Sequence, residues 1–401
     1  MKAIIFLADG MADEPLAELN HKTPLEAANT PGMDAIAREG QSGTFLTLPD
    51  GLPTSSDVAN MSVLGFFPEK NYPGRGPIEA MSQEIPLAPG DIAWRCNLVT
   101  VDQDRILRDY SAGHIDNAVS TILMHDLQAA LGSDKVTFYP GVSYRNLLVL
   151  HGAEFSAAVD YFKPDSSQDI AVSELPLRAL NDSPEAANTI AFLEELSRKA
   201  HDFLTAHPLY LNGTSAATDI WPWSPGSAPA LTPFAERYGC KGAIISAVDV
   251  IKGLGKCTGM TVIDVPGATG FLDTNYEGKA SAALKAIEDH DFVYVHLEAI
   301  DECSHMGDLK LKLQAIEEFD KRIVCPIRAA LQGQKINFAI LPDHPVPIHL
   351  RQHTTTPVPV AVCGPSFAAD NVQSYSETLA PSGKLGFLKG DQLVKILLEE
   401  K

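Results

Sequence analysis

The chain has 401 residues, 45% hydrophobic and 20% charged, enough for two or three domains with cores of their own, and this profile excludes a disordered or disulfide-stapled scaffold. Lysine and arginine total 31 against 51 acids, a formal charge of -20 with no Lys/Arg-rich run, which argues against nucleic acid and anionic membrane as partners. No apolar stretch approaches the roughly 18 residues of a membrane span, the opening run 3–8 is too short for a secretion signal, and the six cysteines form no C-x-x-C pair, so a cytoplasmic protein with reduced thiols is expected.

Short apolar runs that stop abruptly at polar residues and alternate with helical patterns read as βα units of a parallel sheet. Residues 3–8 form the first such run. From about position 74 to 181 the pattern changes to short β-like pieces, 136–139 and 146–150, around a helical stretch at 117–131. Ser183-Pro184 then opens a long amphipathic helix with serine as cap and proline in the first turn; Ile190, Leu193, Ala200 and Phe203 mark its apolar stripe, and Pro208 ends it. Strand-like runs return at 242–248, 292–297, 336–341 and 358–362, separated by helical patterns at 279–287 and 309–323. The predicted fold class is α/β: a core with a mainly parallel sheet flanked by helices, built from residues 1–74 and 182–401, interrupted by a smaller inserted α+β domain over 75–181.

In open α/β sheets ligands bind beyond the carboxyl ends of the strands, and three of the runs end in acids. Residues 3–8 lead into Asp9, 292–297 through Glu298 to Asp301, and 336–341 to Asp343-His344. Bare carboxylates about 4 Å apart repel by roughly 4 kcal/mol at an effective dielectric near 20, so their convergence calls for a bound cation. Six of the twelve histidines, His290, His296, His305, His344, His349 and His353, fall between positions 290 and 353. Asp301 and His305, four apart, share one face of a helical turn, and Asp343, His344 and His353 add further donors. Taken singly, Asp343-His344 fits a turn and His353 a surface histidine; His290 and His349 are read as surface or supporting residues. Mixed carboxylate and imidazole donors suit Mn, Mg, Zn or Co.

Pro53-Thr54-Ser55-Ser56-Asp57-Val58-Ala59-Asn60-Met61-Ser62 places several hydroxyls at the start of a helix. Serine or aspartate after proline is commonly an N-cap. A helix start also favours phosphate, and a metal-bound serine is activated by loss of its proton. Capping and nucleophilic catalysis are both open for this segment.

Asp9-Gly10-Met11-Ala12-Asp13, Ser56-Asp57-x-Ala59-Asn60, Gly74-Arg75-Gly76-Pro77-Ile78-Glu79-Ala80, Arg95-Cys96-Asn97, Asp301-x-x-x-His305-x-Gly307 and Leu341-Pro342-Asp343-His344 with His353-Thr354-x-x-Pro357-Val358-Pro359 together resemble the archaeal-type cofactor-independent phosphoglycerate mutases of the alkaline phosphatase superfamily, in order along almost the whole chain. The resemblance implies an alkaline-phosphatase-like core with two divalent ions, manganese foremost, no bisphosphoglycerate cofactor, and a mobile insert that helps hold a small phosphorylated metabolite. By motif position, Asp301, His305 and His353 would bind one ion and Asp9, Ser56, Asp343 and His344 the other. Ser56 matches the nucleophile, because the family's serine directly precedes an acid. It would carry the phosphoryl group between the two hydroxyls of glycerate during interconversion of 3- and 2-phosphoglycerate, a step of glycolysis and gluconeogenesis.

An anionic substrate on so acidic a protein needs local cations. Arg75, Arg95, Arg105, Arg145 and Lys241 are the candidates, with Arg95 and Arg145 inside family-like motifs and Trp221 and Trp223 read as packing. His114 stands where many of these mutases carry arginine. With Phe138-Tyr139-Pro140-Gly141-Val142-Ser143-Tyr144-Arg145, it resembles a bacterial subgroup proposed to act as homoserine kinases. That resemblance keeps a homoserine-type acceptor open beside the mutase, and a metal-dependent phosphomonoester hydrolase if water attacks instead.

Overall fold

The structure, a computed structural model, describes residues 1–399. Two compact units emerge, Met1–Tyr72 joined with the chain from Leu231 onward, and Pro73–Ala230. Strands β1 (Lys2–Ala8) and β2 (Gln41–Leu46) precede the second unit. Within that unit come β3 (Ile92–Val101), β4 (Leu107–Asp109), β5 (Val136–Val142), β6 (Arg145–Leu150), β7 (Val159–Asp160), β8 (Arg178–Ala179) and β9 (Asp219–Gly226). The first unit resumes with β10 (Gly242–Ile245), β11 (Thr261–Ile263), β12 (Phe292–Leu297), β13 (Ile336–Leu341), β14 (Val358–Cys363) and β15 (Gly386–Lys389).

The first unit is an eight-stranded sheet in the order β11-β10-β12-β1-β13-β14-β2-β15. β14 alone runs against its neighbours β13 and β2; every other pairing is parallel. β1, β12 and β13 are buried along nearly their whole length, which is why they read as unbroken apolar runs rather than alternating ones. Their register sets where the chain leaves the sheet. Ala8 lies beside Leu297 and Leu7 beside Leu341, so the acids that follow these three strands emerge at one edge.

The second unit is antiparallel. β3 is its spine, pairing with β6 on one side and β9 on the other, with β5 outside β6. Trp94, Cys96 and Leu98 point into a core closed by the helices Asn117–Leu131 and Pro184–Ala206, while the alternate positions carry Arg95 and Asn97, as a two-residue period requires. Ser183 caps the second helix by accepting from Ala186 N. The expected end of the insert at 181 falls short of this unit's end at Ala230. Leu193, Leu196, Ala200 and Leu204 bury themselves against Trp94 and Leu98, and β9 supplies β3 with a partner strand; without residues 182–230 the unit would lose a helix layer and an edge of its sheet. Among the described residues no helix is long and apolar enough to cross a membrane.

Candidate active site

The carboxyl edge of the first sheet gathers the seven residues singled out for metal and nucleophile. Asp9 follows β1. Gly10, next in line, has φ +64, and a Cβ there would stand 2.7 Å from Asp301 Cα, so only glycine lets these two strand ends approach. Asp301 and His305 sit one turn apart on the helix Ala299–Met306, with His305 Nε2 3.3 Å from Asp301 Oδ2 and His353 Nε2 3.6 Å from Asp301 Oδ1. Beside them His344 Nε2 lies 3.4 Å from Asp9 Oδ1 and 3.3 Å from Asp343 Oδ2. Ser56 Oγ is 3.2 Å from His344 Nε2.

The tautomers say what this cluster lacks. His305 Nδ1 faces the carbonyl of Arg351 at 2.9 Å and His353 Nδ1 that of Thr54 at 3.2 Å; a carbonyl only accepts, so the protons sit on Nδ1 and both Nε2 atoms present lone pairs. Those lone pairs meet at 2.9 Å, with Asp301 alongside. Asp9 Oδ1, Asp301 Oδ1 and Glu298 Oε2 are buried with no hydrogen-bond partner among the described residues. Buried carboxylate oxygens left without a donor are stable only around a cation or a trapped proton. Donor atoms of Asp301, His344 and His353, and of Asp9, Asp343 and His344, lie within 4.8 Å of one another, and these oxygen and nitrogen donors fit divalent ions of the kind expected.

Ser56 opens the helix Ser56–Val63, whose N-cap is Ser55. Neither serine forms a side-chain cap, so the Ser56 hydroxyl is free of that structural duty and lies against His344. Supporting residues that the motifs did not single out for a role hold the site from beneath. Asn60 Nδ2 donates to Asp343 Oδ2 at 2.8 Å and Asn60 Oδ1 accepts from buried Tyr294, while Tyr72 donates to Asp57 Oδ2 at 2.5 Å. Lys312, on the helix Leu309–Phe319, is fully buried and pairs with Asp13 at 2.7 Å. His290 is engaged by Thr261, and His349 is half exposed near Glu14; neither joins the cluster.

Burial and the crowding of acids raise the proton affinity of several carboxyls at the site. Burial lifts Asp343 to about 7 and Glu298 to about 8; burial and the neighbouring acids Asp343, Glu298 and Asp301 raise Asp9 well above the carboxylate range. Burial opposes ionisation of Asp301, yet the hydrogen bond from His305 and the charges of His353 and His305 outweigh it and keep Asp301 anionic. Burial would lower His305, but Asp301 lifts it to about 9, placing a proton where the two Nε2 lone pairs meet. Asp9, Asp343 and His305 must shed protons to ligate a metal. Titrating the protein with manganese is therefore expected to release protons, and affinity to rise from about pH 6 to about pH 8. Calorimetry in buffers of different ionisation enthalpy measures this, and pH-independent binding without proton release would refute it.

In the second unit, Arg95 is buried and bonded to Glu79 and Asn97, and Arg75 Nε donates to the same Glu79 at 2.7 Å. Trp223 donates to Asn97 Oδ1 at 3.0 Å and lies under both guanidiniums, 5.0 Å from Arg95 and 5.9 Å from Arg75, so this tryptophan packs against charge rather than only against hydrocarbon. Arg105 is paired with Asp219. Arg145 is exposed over the Tyr144 ring, and Tyr144 and Tyr110 meet His114 edge-on. Ala112, His114 and Ser143 all have positive φ, conformations held by Asp109, which accepts from Ser111 and Gly113, and by Ser143 Oγ donating to Ile115 O. Strain gathered on one rim marks a preorganised surface.

Fold and site together define an α/β protein whose strand ends assemble an acid- and imidazole-rich centre beside a serine. A sequence profile described as 2,3-bisphosphoglycerate-independent phosphoglycerate mutase matches residues 37–210. Over their full lengths, the mutase of that name from Methanosarcina barkeri is 45% identical to this chain and the probable mutase of Geobacter sulfurreducens 44%. Among solved structures, a Pyrococcus horikoshii protein superposes with a TM-score of 0.82 at 28% identity, covering 100% of this chain and 98% of its own. The cofactor-independent phosphoglycerate mutase of Thermoplasma acidophilum gives 0.67 at 27%, with 99% of each chain covered. The chain belongs to the archaeal-type 2,3-bisphosphoglycerate-independent phosphoglycerate mutase family, isomerases of glycolysis.

Proposed function

We propose that this chain interconverts 3- and 2-phosphoglycerate through a phosphoserine at Ser56, with one divalent ion held by Asp301, His305 and His353 and a second by Asp9, Ser56, Asp343 and His344. The observation that carries the reading is the Ser56 hydroxyl lying 3.2 Å from His344 Nε2, beside Asp9 Oδ1 and Asp301 Oδ1, which are buried with no hydrogen-bond partner among the described residues. Bound divalent ions supply the positive charge that keeps Ser56 deprotonated and neutralises the phosphoryl oxygens.

Ser56 Oγ forms a bond to phosphorus as the bond to the 3-oxygen of glycerate breaks, and that oxygen takes a proton. Glycerate turns within the site. Its 2-hydroxyl then attacks the phosphoserine, losing its proton and returning Ser56. Asn60 and Tyr294 keep Asp343 oriented throughout, and Gly10 keeps Asp9 close to Asp301. Of the four side chains expected to hold substrate, Arg75, His114 and Arg145 are assigned to contact, whereas Arg95 is buried. Arg145 is the exposed guanidinium of this set, and Arg95 acts from below the surface through Glu79 and Trp223.

Incubation with 3-phosphoglycerate and manganese, coupled to enolase, is expected to yield 2-phosphoglycerate. A second reading rests on His114 beside Tyr110 and Tyr144, which offers an imidazole rather than a guanidinium to the acceptor. Should no 2-phosphoglycerate form while homoserine and ATP give phosphohomoserine, that reading replaces the mutase; release of free phosphate from varied monoesters would point to a hydrolase.

A further inference from the structure

His296 occupies the next-to-last position of β12 and is wholly buried. Its two ring nitrogens are both engaged. Nε2 lies 2.9 Å from Asp9 Oδ2 and Nδ1 lies 3.1 Å from Ser246 Oγ, while Ser246 Oγ accepts from Val248 N at 3.0 Å. As a cation ligand Asp9 is ionised, and an ionised carboxylate accepts and never donates. The proton of the 2.9 Å contact therefore belongs to Nε2, leaving Nδ1 bare to receive the Ser246 hydroxyl. Each donor in the chain from Ser246 through His296 to Asp9 then meets one acceptor.

Asp9, His296 and Glu298 bring donor atoms within 4.8 Å of one another, the spacing of a third cation site. The tautomer decides against it, since an Nε2 that carries a proton has no lone pair for a metal. A basic side chain is present there already. Lys279 is buried on the helix Tyr276–Asp289 and donates to the His296 carbonyl at 2.9 Å.

We propose that His296 is a positioning residue: with Ser246 behind it, it occupies Asp9 Oδ2 and so presents Oδ1 to the cation on the Asp343–His344 side. Asp9 Oδ1 is buried without a hydrogen-bond partner and faces His344 Nε2 at 3.4 Å. This rests on the reading of Asp9 as a cation ligand. Groups that orient a ligating side chain in this way typically change metal affinity about 10- to 100-fold when removed.

The test compares manganese binding by calorimetry in the full-length wild type, His296→Met and His296→Gln. Methionine fills the space without a donor, whereas the glutamine amide can still donate to Asp9. The expected result is two classes of site in the wild type, one of them weakened about 10- to 100-fold by His296→Met with the other unmoved, and recovery toward wild type in His296→Gln. Unchanged affinity in His296→Met overturns the proposal, as does an equal loss in both variants, which marks packing alone. Wild-type protein that binds no manganese overturns the cation reading itself and this inference with it. A measurement on the wild type loaded with diamagnetic magnesium needs no variant to fold: the nitrogen shifts of His296 are expected to show the Nε2–H tautomer, and an Nδ1–H tautomer would overturn the proposal.

Discussion

Ser56→Ala is expected to abolish turnover, by about 10⁴-fold or more, while the protein stays folded and keeps its cations. The two halves of that expectation come from different observations. Ser55, not Ser56, is the N-cap of the helix, and no side-chain cap bond is lost, so a surface-scale stability change within about 0.5 kcal/mol is expected. The hydroxyl nevertheless lies against His344, and under the proposed mechanism its loss removes the acceptor of the phosphoryl group rather than weakening its binding. Metal analysis and a thermal melt, run beside the enolase-coupled assay, separate these effects. Residual activity near that of the wild type would exclude Ser56 as the phosphoryl carrier.

Lys312→Met is the substitution with the largest expected effect on stability. Lys312 Nζ donates to Asp13 Oδ2 at 2.7 Å and to Val346 O at 2.9 Å, and neither side chain of the pair is exposed. Asp13 also accepts from Ile348 N at 3.1 Å, and its own N–H donates to Glu377 Oε1 at 3.0 Å. Removing the ammonium strands a buried carboxylate beside a second acid, a change that commonly costs about 3–5 kcal/mol. Because the stretch from Val346 to Ile348 comes just after Asp343 and His344 in the chain, manganese affinity is expected to fall with stability. Urea unfolding of Lys312→Met and of Lys312→Met/Asp13→Asn tests this. Neutralising the stranded acid should recover part of the loss, and a single variant as stable as the wild type would contradict a structural role for the pair.

The parts of the fold legible in sequence are those where local and global demands agree. β1, β12 and β13 are buried on both faces, so their apolar runs and the acids that end them announce both the strands and the catalytic edge. β2, with the sequence Gln-Ser-Gly-Thr-Phe-Leu, and the short edge strand β15 carry no such run. Gly43 is in β2 because a Cβ would meet Gly386 O at 2.3 Å, a constraint invisible until the two strands are paired. The helix at 184–206 is legible as a helix, but not as part of the second unit, since its stripe does not say which sheet it covers. At the site, Asp9, Asp343 and His344 stand just after strands and Asp301 and His305 one turn apart on a helix, whereas His353 and Ser56 have no such local mark. Lys279, Lys312 and His296 are harder to place. A lysine in an amphipathic helix looks solvent-facing until the distant acid or carbonyl that receives it is known, and His296 in the apolar run of β12 is a polar interruption whose partners, Asp9 and Ser246, come just after the neighbouring strands β1 and β10.

Anomalous diffraction from manganese-loaded crystals of the full chain tests the central claim most directly. Two peaks are expected, one against Asp301, His305 and His353 and the other against Asp9, Asp343 and His344, with Ser56 Oγ in contact with the second. Manganese bound elsewhere, or a Ser56 hydroxyl turned away from both positions, would contradict it.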